Sequence, residues 1–104
     1  HGGGFLPYQA GRLDREYKGP TGLAASEYVK RFYYDTVLMS TPALRLLFDL
    51  VGTGQVMIGS DYAATSVERK APKLTAALDA TGIDAAARKK VVHETAAAIF
   101  KTGN

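Results

Sequence analysis

Residues 40–61 carry the pattern that most limits what this chain can fold into. A capped amphipathic helix runs there almost directly into a short buried strand. Ser40 or Thr41 caps the helix, Pro42 lies in its first turn and Gly52 closes it. Leu44, Leu47, Phe48 and Val51 recur at i, i+3, i+4 and i+7, which makes one apolar stripe. Gln55 to Gly59 then reads as a buried strand ending at the polar pair Ser60-Asp61. Upstream, Tyr33 to Thr36 is rich in β-forming residue types and predicts a second short strand. Strands alternating with helices predict βα units and a parallel sheet, hence an α/β class. Two parallel strands cannot cover a sheet alone, so the pattern points to a larger architecture.

Around that unit the chain is rich in helical patterns. Residues 5–16 fit a short helix or irregular chain, and Lys18 to Gly22 is a loop by composition. Ser26 is placed to cap a short helix through Phe32. A helix over 72–80 would carry Leu74 and Leu78. Asp84 caps the next helix, whose apolar face runs through Val91, Val92, Ala96, Ile99 and Phe100 until Gly103 ends it. Without further strands and helices, the 44–51 stripe and both faces of 55–59 are expected to lie bare. A patch of that kind drives association, so dimers, higher oligomers or a repacked helical fold are expected.

Composition removes several classes. With 104 residues the chain is too short for a complete (β/α)8 barrel, which needs about 250. It has no cysteine, which excludes a disulfide framework, a zinc finger and an iron–sulfur site. No apolar run approaches the roughly 20 residues of a membrane span, so no membrane partner is expected, and the absence of cysteine fits a cytoplasmic setting. The net charge is +3, and the basic residues are mostly scattered, with short clusters at Lys30-Arg31, Arg69-Lys70 and Arg88-Lys89-Lys90. Each is flanked by acids or apolar residues, which predicts solvated helix faces and no nucleic-acid partner. The first residue is His1 rather than Met, which fits a processed product, a cut chain or an incomplete reading frame.

His1-Gly2-Gly3-Gly4 admits three chemistries. An esterase oxyanion loop of this type needs a G-x-S-x-G nucleophile elbow, and none occurs. A copper site on a terminal histidine needs a second ligand, and His93, the other histidine, lies inside a helical pattern. The third reading is a catalytic histidine at the end of a barrel strand, with glycines turning the chain over the site; with no further match, a flexible chain end is the default. Asp61 directly follows a buried strand, where parallel α/β folds place their sites; a carboxylate there can bind a metal or move a proton, although taken alone such a residue is more often an N-cap or loop aspartate. Asp35 ends the other strand and reads as structural. Arg12 and Arg15 could clamp carboxylates, although isolated arginines are more often surface residues. His93 reads as a surface histidine, Met39 and Met57 as core, and Tyr28, Phe32, Tyr33 and Tyr34 as packing aromatics.

Three stretches together carry a resemblance. His1 to Arg12 resembles the HGGG-x-x-P-x-x-x-G-R segment of the amidohydrolase-related family, in the branch of aminocarboxymuconate semialdehyde and resorcylate-type decarboxylases. Phe32-Tyr33-Tyr34-Asp35-Thr36 resembles its seventh strand, and Val56 to Tyr62 its eighth strand and metal-ligand turn. The resemblance implies a metal-dependent (β/α)8 barrel whose C-terminal part is residues 1–104, from the end of strand six, with no second domain. It implies catalytic roles for His1 and Asp61, metal ligation by Asp61, and a substrate carboxylate held by Arg12 across a subunit boundary. The implied reaction is hydrolysis or non-oxidative decarboxylation of a small carboxylated molecule, with a divalent metal, zinc by expectation, in a homodimer or higher oligomer. The sequence departs from the family at Ala63, where proline is usual, and at Glu94-Thr95-Ala96, where Gly-Asn-Ala is usual. The family's His-x-His pair and strand-five histidine do not occur, so the chain alone is expected to bind no metal tightly and to be inactive. The alternative is a small non-catalytic helical interaction module derived from that family.

Overall fold

Helix α1 spans Leu6–Glu16 and α2 spans Ala25–Val29, in a computed structural model that describes residues 1–62 and 75–101. Pro7 lies in the first turn of α1, where its missing N–H costs nothing, and Pro7 and Ala10 are buried. Ser26 does not cap α2. Ala24 occupies that position and offers no side-chain acceptor. The acceptor comes from the neighbouring helix instead: the Ser26 N–H donates to Asp14 Oδ1 at 2.8 Å, satisfying a first-turn donor. Hydrogen bonds from the Ser26 hydroxyl and N–H hold the Asp14 carboxyl below the ordinary aspartate range. A depressed folded-state pKa adds stability above the unfolded pKa that is lost as pH falls through the folded value. Urea midpoints measured across acidic pH are therefore expected to fall below the ordinary aspartate range, and Asp14→Asn should flatten that part of the profile.

Strands β1 (Tyr34–Asp35) and β2 (Val56–Met57) pair in parallel, with Tyr34 opposite Val56 and Asp35 opposite Met57. The crossover between them contains α3 (Thr41–Val51), as the sequence pattern predicts. Ser40 Oγ accepts from the Ala43 N–H at 3.4 Å, and Gly52 ends the helix at φ 83°. Strand β2 is shorter than predicted because Thr53–Gln55 forms a 3₁₀ turn before it. Past Met57 the backbone donors turn elsewhere: Ile58 N–H to Val91 O at 2.9 Å and Gly59 N–H to Thr36 Oγ1 at 3.2 Å.

Helix α4 (Ala76–Asp79) buries Leu78; Leu74 and the rest of the predicted start at 72–74 lie outside the described residues. Arg45 of α3 donates to Ala80 O and Thr81 O at 2.9 and 3.1 Å. That places a cation on the carbonyl end of α4, which completes its C-terminus. Asp84 caps α5 (Ala85–Lys89), accepting from Ala87 N–H at 2.8 Å. A π-helical turn at Lys90–Glu94 then leads into α6 (Thr95–Phe100). The wider turn rotates the later residues off the expected face. Val91 and Thr95 are buried, while Phe100 is 64% exposed. Gly103 lies outside the described residues.

One core joins these elements. Leu44, Leu47, Phe48 and Val51 of α3 are all buried, as is Val56 of β2, together with Ala10, Val29, Tyr34, Leu78 and Val91. The expected bare stripe is thus corrected: residues of this same chain cover it. The apolar surface left outside lies elsewhere. Leu13, Tyr17, Tyr28 and Phe32 line a groove of about 420 Å³ between α1 and α2. Phe32 and Tyr33 are half-exposed rather than packed, and Met39 is 56% exposed rather than core. Tyr34 alone of the aromatic cluster is buried, its hydroxyl donating to Val29 O at 2.6 Å, and burial raises its pKa.

Candidate functional site

The site forms where the carboxyl ends of β1 and β2 meet the first residues of the chain. Gly2 and Gly3 make that meeting possible. Both have positive φ, 56° and 84°, a region costly for residues with a Cβ. Neither has room for one. A Cβ on Gly2 would stand 2.5 Å from Leu38 Cδ2, and one on Gly3 would stand 2.6 Å from Tyr34 Cε1. The turn closes with Gly4 N–H donating to His1 O at 2.9 Å. The chain therefore lies flat over β1, and the His1 ring is delivered to the strand ends.

His1 stands between two carboxylates. Its Nδ1 is 3.0 Å from Asp35 Oδ2, and its Nε2 is 3.2 Å from Asp61 Oδ1. Asp35 is the last residue of β1. Asp61 follows β2 after a short turn and has φ 55°, a left-handed conformation that aspartate tolerates better than most residues. Strand ends are tied by Thr36, which is buried and donates its N–H to Met57 O at 3.1 Å. A neutral imidazole has a single N–H, so it can donate to only one carboxylate at a time. Bonding both at once requires the protonated ring. The three side chains are partly open to solvent, at 53% for His1, 37% for Asp35 and 27% for Asp61, so they can meet a small molecule.

Of the residues singled out in the sequence, the fold brings His1 and Asp61 together. Arg12 sits exposed on α1, and no hydrogen bond or ion pair joins it to them. His93 is exposed in the π-helical turn. Ala63 lies outside the described residues. Asp35, which the sequence reads as structural, also reaches the His1 ring. Its signal was available: it ends a strand as Asp61 nearly does, and parallel neighbours bring such ends side by side. Among the described residues, no group of three or more His, Cys, Asp or Glu side chains is arranged to hold a metal ion. Asp61 and His1 offer one oxygen and one nitrogen donor, which suit a divalent metal but fill only part of its coordination sphere.

Comparison with known proteins gives one consistent answer. A curated relative, 2-amino-3-carboxymuconate-6-semialdehyde decarboxylase of Dictyostelium discoideum, is 32% identical over 69 residues, which is 60% of this chain and 19% of that protein. The solved structure of 5-carboxyvanillate decarboxylase from Sphingomonas paucimobilis matches with a TM-score of 0.82 and 27% identity, over 99% of this chain and 32% of that one. A dihydroxybenzoic acid decarboxylase from Polaromonas sp. JS666, solved with manganese and the inhibitor 2-nitroresorcinol, matches with a TM-score of 0.75 and 24% identity, over 97% of this chain and 32% of that one. The chain thus spans about a third of the solved chains it resembles. The amidohydrolase family pattern matches residues 1–102, and the chain belongs to that family.

Proposed function

We propose that residues 1–104 are the C-terminal third of a metal-dependent (β/α)8-barrel carboxy-lyase that removes a carboxylate from a small aromatic or unsaturated acid. One observation supports this above the rest: His1 and Asp61 meet at the carboxyl ends of two adjacent parallel strands, where barrel enzymes place their chemistry. Relatives named as decarboxylases direct the reading toward loss of carbon dioxide rather than hydrolysis. On this reading the chain runs from the end of the sixth strand to the C-terminus as part of one domain.

Each residue then has a task. Asp61 is a metal ligand and takes part in proton movement. His1 Nε2 holds or delivers a proton on the metal side of the pocket. Arg12, exposed on α1, clamps a substrate carboxylate on a neighbouring copy, which makes the intact protein a homodimer or higher oligomer. A bound divalent cation, zinc by resemblance or manganese as in the Polaromonas structure, would act as a Lewis acid and acidify a bound water. Its remaining ligands would come from outside residues 1–104.

A second reading, a non-catalytic helical module, draws on the core closed within the chain. Calorimetric titration with Zn²⁺ or Mn²⁺ at neutral pH separates the two. The chain alone should show no tight stoichiometric site. The intact protein should show one per chain, and Asp61→Asn should remove it. A tight one-to-one site on the chain alone, or none on the intact protein, contradicts the proposal.

A further inference from the structure

We infer that Asp35 is a positioning residue that fixes which nitrogen of His1 carries the proton. The inference deepens the reading of His1 as a proton-handling group and rests on that reading for its functional meaning. Its physical basis is the set of bonds around Asp35. Oδ1 accepts two backbone N–H groups, from Gly2 at 3.0 Å and from Val37 at 2.9 Å. Two fixed donors hold that oxygen as an acceptor and pin the carboxylate plane at the end of β1. Oδ2 is thereby turned to His1 Nδ1 at 3.0 Å.

An ionised carboxylate has no proton to give. The contact is a hydrogen bond only if Nδ1 bears the hydrogen. In a neutral ring this leaves the Nε2 lone pair directed to the Asp61 side, where a proton would be taken up. Asp61 also offers an acceptor, to Nε2, at the longer distance of 3.2 Å. The two carboxylates therefore compete for one hydrogen, and the shorter contact to an Asp35 carboxylate held in place by two backbone donors favours Nδ1. Such a partner orienting an imidazole from behind sets its tautomer in many sites. Here the glycine turn contributes as well, because the Gly2 N–H that anchors Asp35 belongs to the residue following His1.

Asparagine at this position makes a sharp test. The Gly2 and Val37 N–H groups still demand an acceptor, so the amide oxygen takes the Oδ1 place. The NH2 group must then face Nδ1 as a donor. Nδ1 becomes the acceptor and the hydrogen moves to Nε2. Long-range ¹H–¹⁵N correlation on histidine-labelled chain reads this directly, at a pH where both rings are neutral, with His93→Gln assigning the signals. The native chain should show protonated Nδ1 and bare Nε2 on His1. Asp35→Asn should reverse them, and Asp61→Asn should leave the native pattern. Protonated Nε2 in the native chain, an unreversed pattern in Asp35→Asn, or a reversed one in Asp61→Asn overturns the inference. Should Asp35→Asn not fold, the native and Asp61→Asn spectra decide. No metal or substrate enters this measurement, so its failure is distinct from failure of the proposed activity.

Discussion

His1→Gln in the intact protein is expected to lower kcat by about 10²–10⁴-fold, the range typical of losing a positioned acid or base. Glutamine keeps a polar end of similar reach but cannot carry a proton near neutral pH. Substrate binding should suffer less, because the carboxylate is assigned to Arg12 rather than to His1. Steady-state kinetics on a carboxylated aromatic would therefore show the loss mainly in kcat, with KM changed little. An equal loss in affinity, with kcat retained, would place His1 in binding instead. The prediction follows from geometry: the ring lies 3.2 Å from Asp61 Oδ1 and is open enough to meet a substrate.

Leu47→Ala should lower the unfolding free energy by about 2–5 kcal/mol, the usual cost of truncating a buried leucine. Leu47 is fully buried, at 0% exposure, between Leu44, Phe48 and Val51 of its own helix stripe and the residues that cover it. Removing its side chain deletes contacts and leaves a cavity that a small core cannot readily close. Leu46, one position earlier, is 45% exposed. Leu46→Ala should cost no more than about 0.5 kcal/mol. Chemical denaturation of the two variants side by side checks the assignment of the buried face. Equal costs would mean that the stripe is not covered as described.

The elements legible in the sequence are those whose signals are local. Ser40, Pro42 and Gly52 mark the ends of α3 within one stretch, and its stripe has the period of a helix. Asp84 caps α5 in the same way. The parallel pairing followed from strand, helix, strand order. What escaped the sequence depends on partners far along the chain. Asp14 caps α2 from another helix, so no spacing around Ser26 reveals it. The π-helical turn gives Ile58 its acceptor at Val91 O and moves Phe100 outward, and neither effect has a periodic signature. Likewise, the cover over α3 comes from α1 and α4, and the core that it joins draws Ala10, Val29, Leu78 and Val91 from four separate segments. Met39 lies at positive φ in the loop before α3 and points its side chain to solvent.

The candidate site divides along the same line. The glycine run and the strand end made His1 and Asp61 candidates, and only the family resemblance raised them above a chain end and a loop aspartate. Asp35 carried only the weak signal of ending a strand parallel to the one before Asp61, and its contact with His1 Nδ1 became visible in the fold. Its role arises from contact across 34 residues.

The central claim is that this strand-end cluster is one wall of a metal-dependent decarboxylating centre. Release of ¹³CO2 from carboxyl-labelled dihydroxybenzoate and 5-carboxyvanillate by the intact, metal-loaded protein tests it most directly. The account predicts labelled carbon dioxide from at least one such acid, lost on chelation, restored by divalent metal and absent in Asp61→Asn. Metal-dependent hydrolysis of an amide or ester with no labelled carbon dioxide from these acids, or release undiminished in Asp61→Asn, would contradict it.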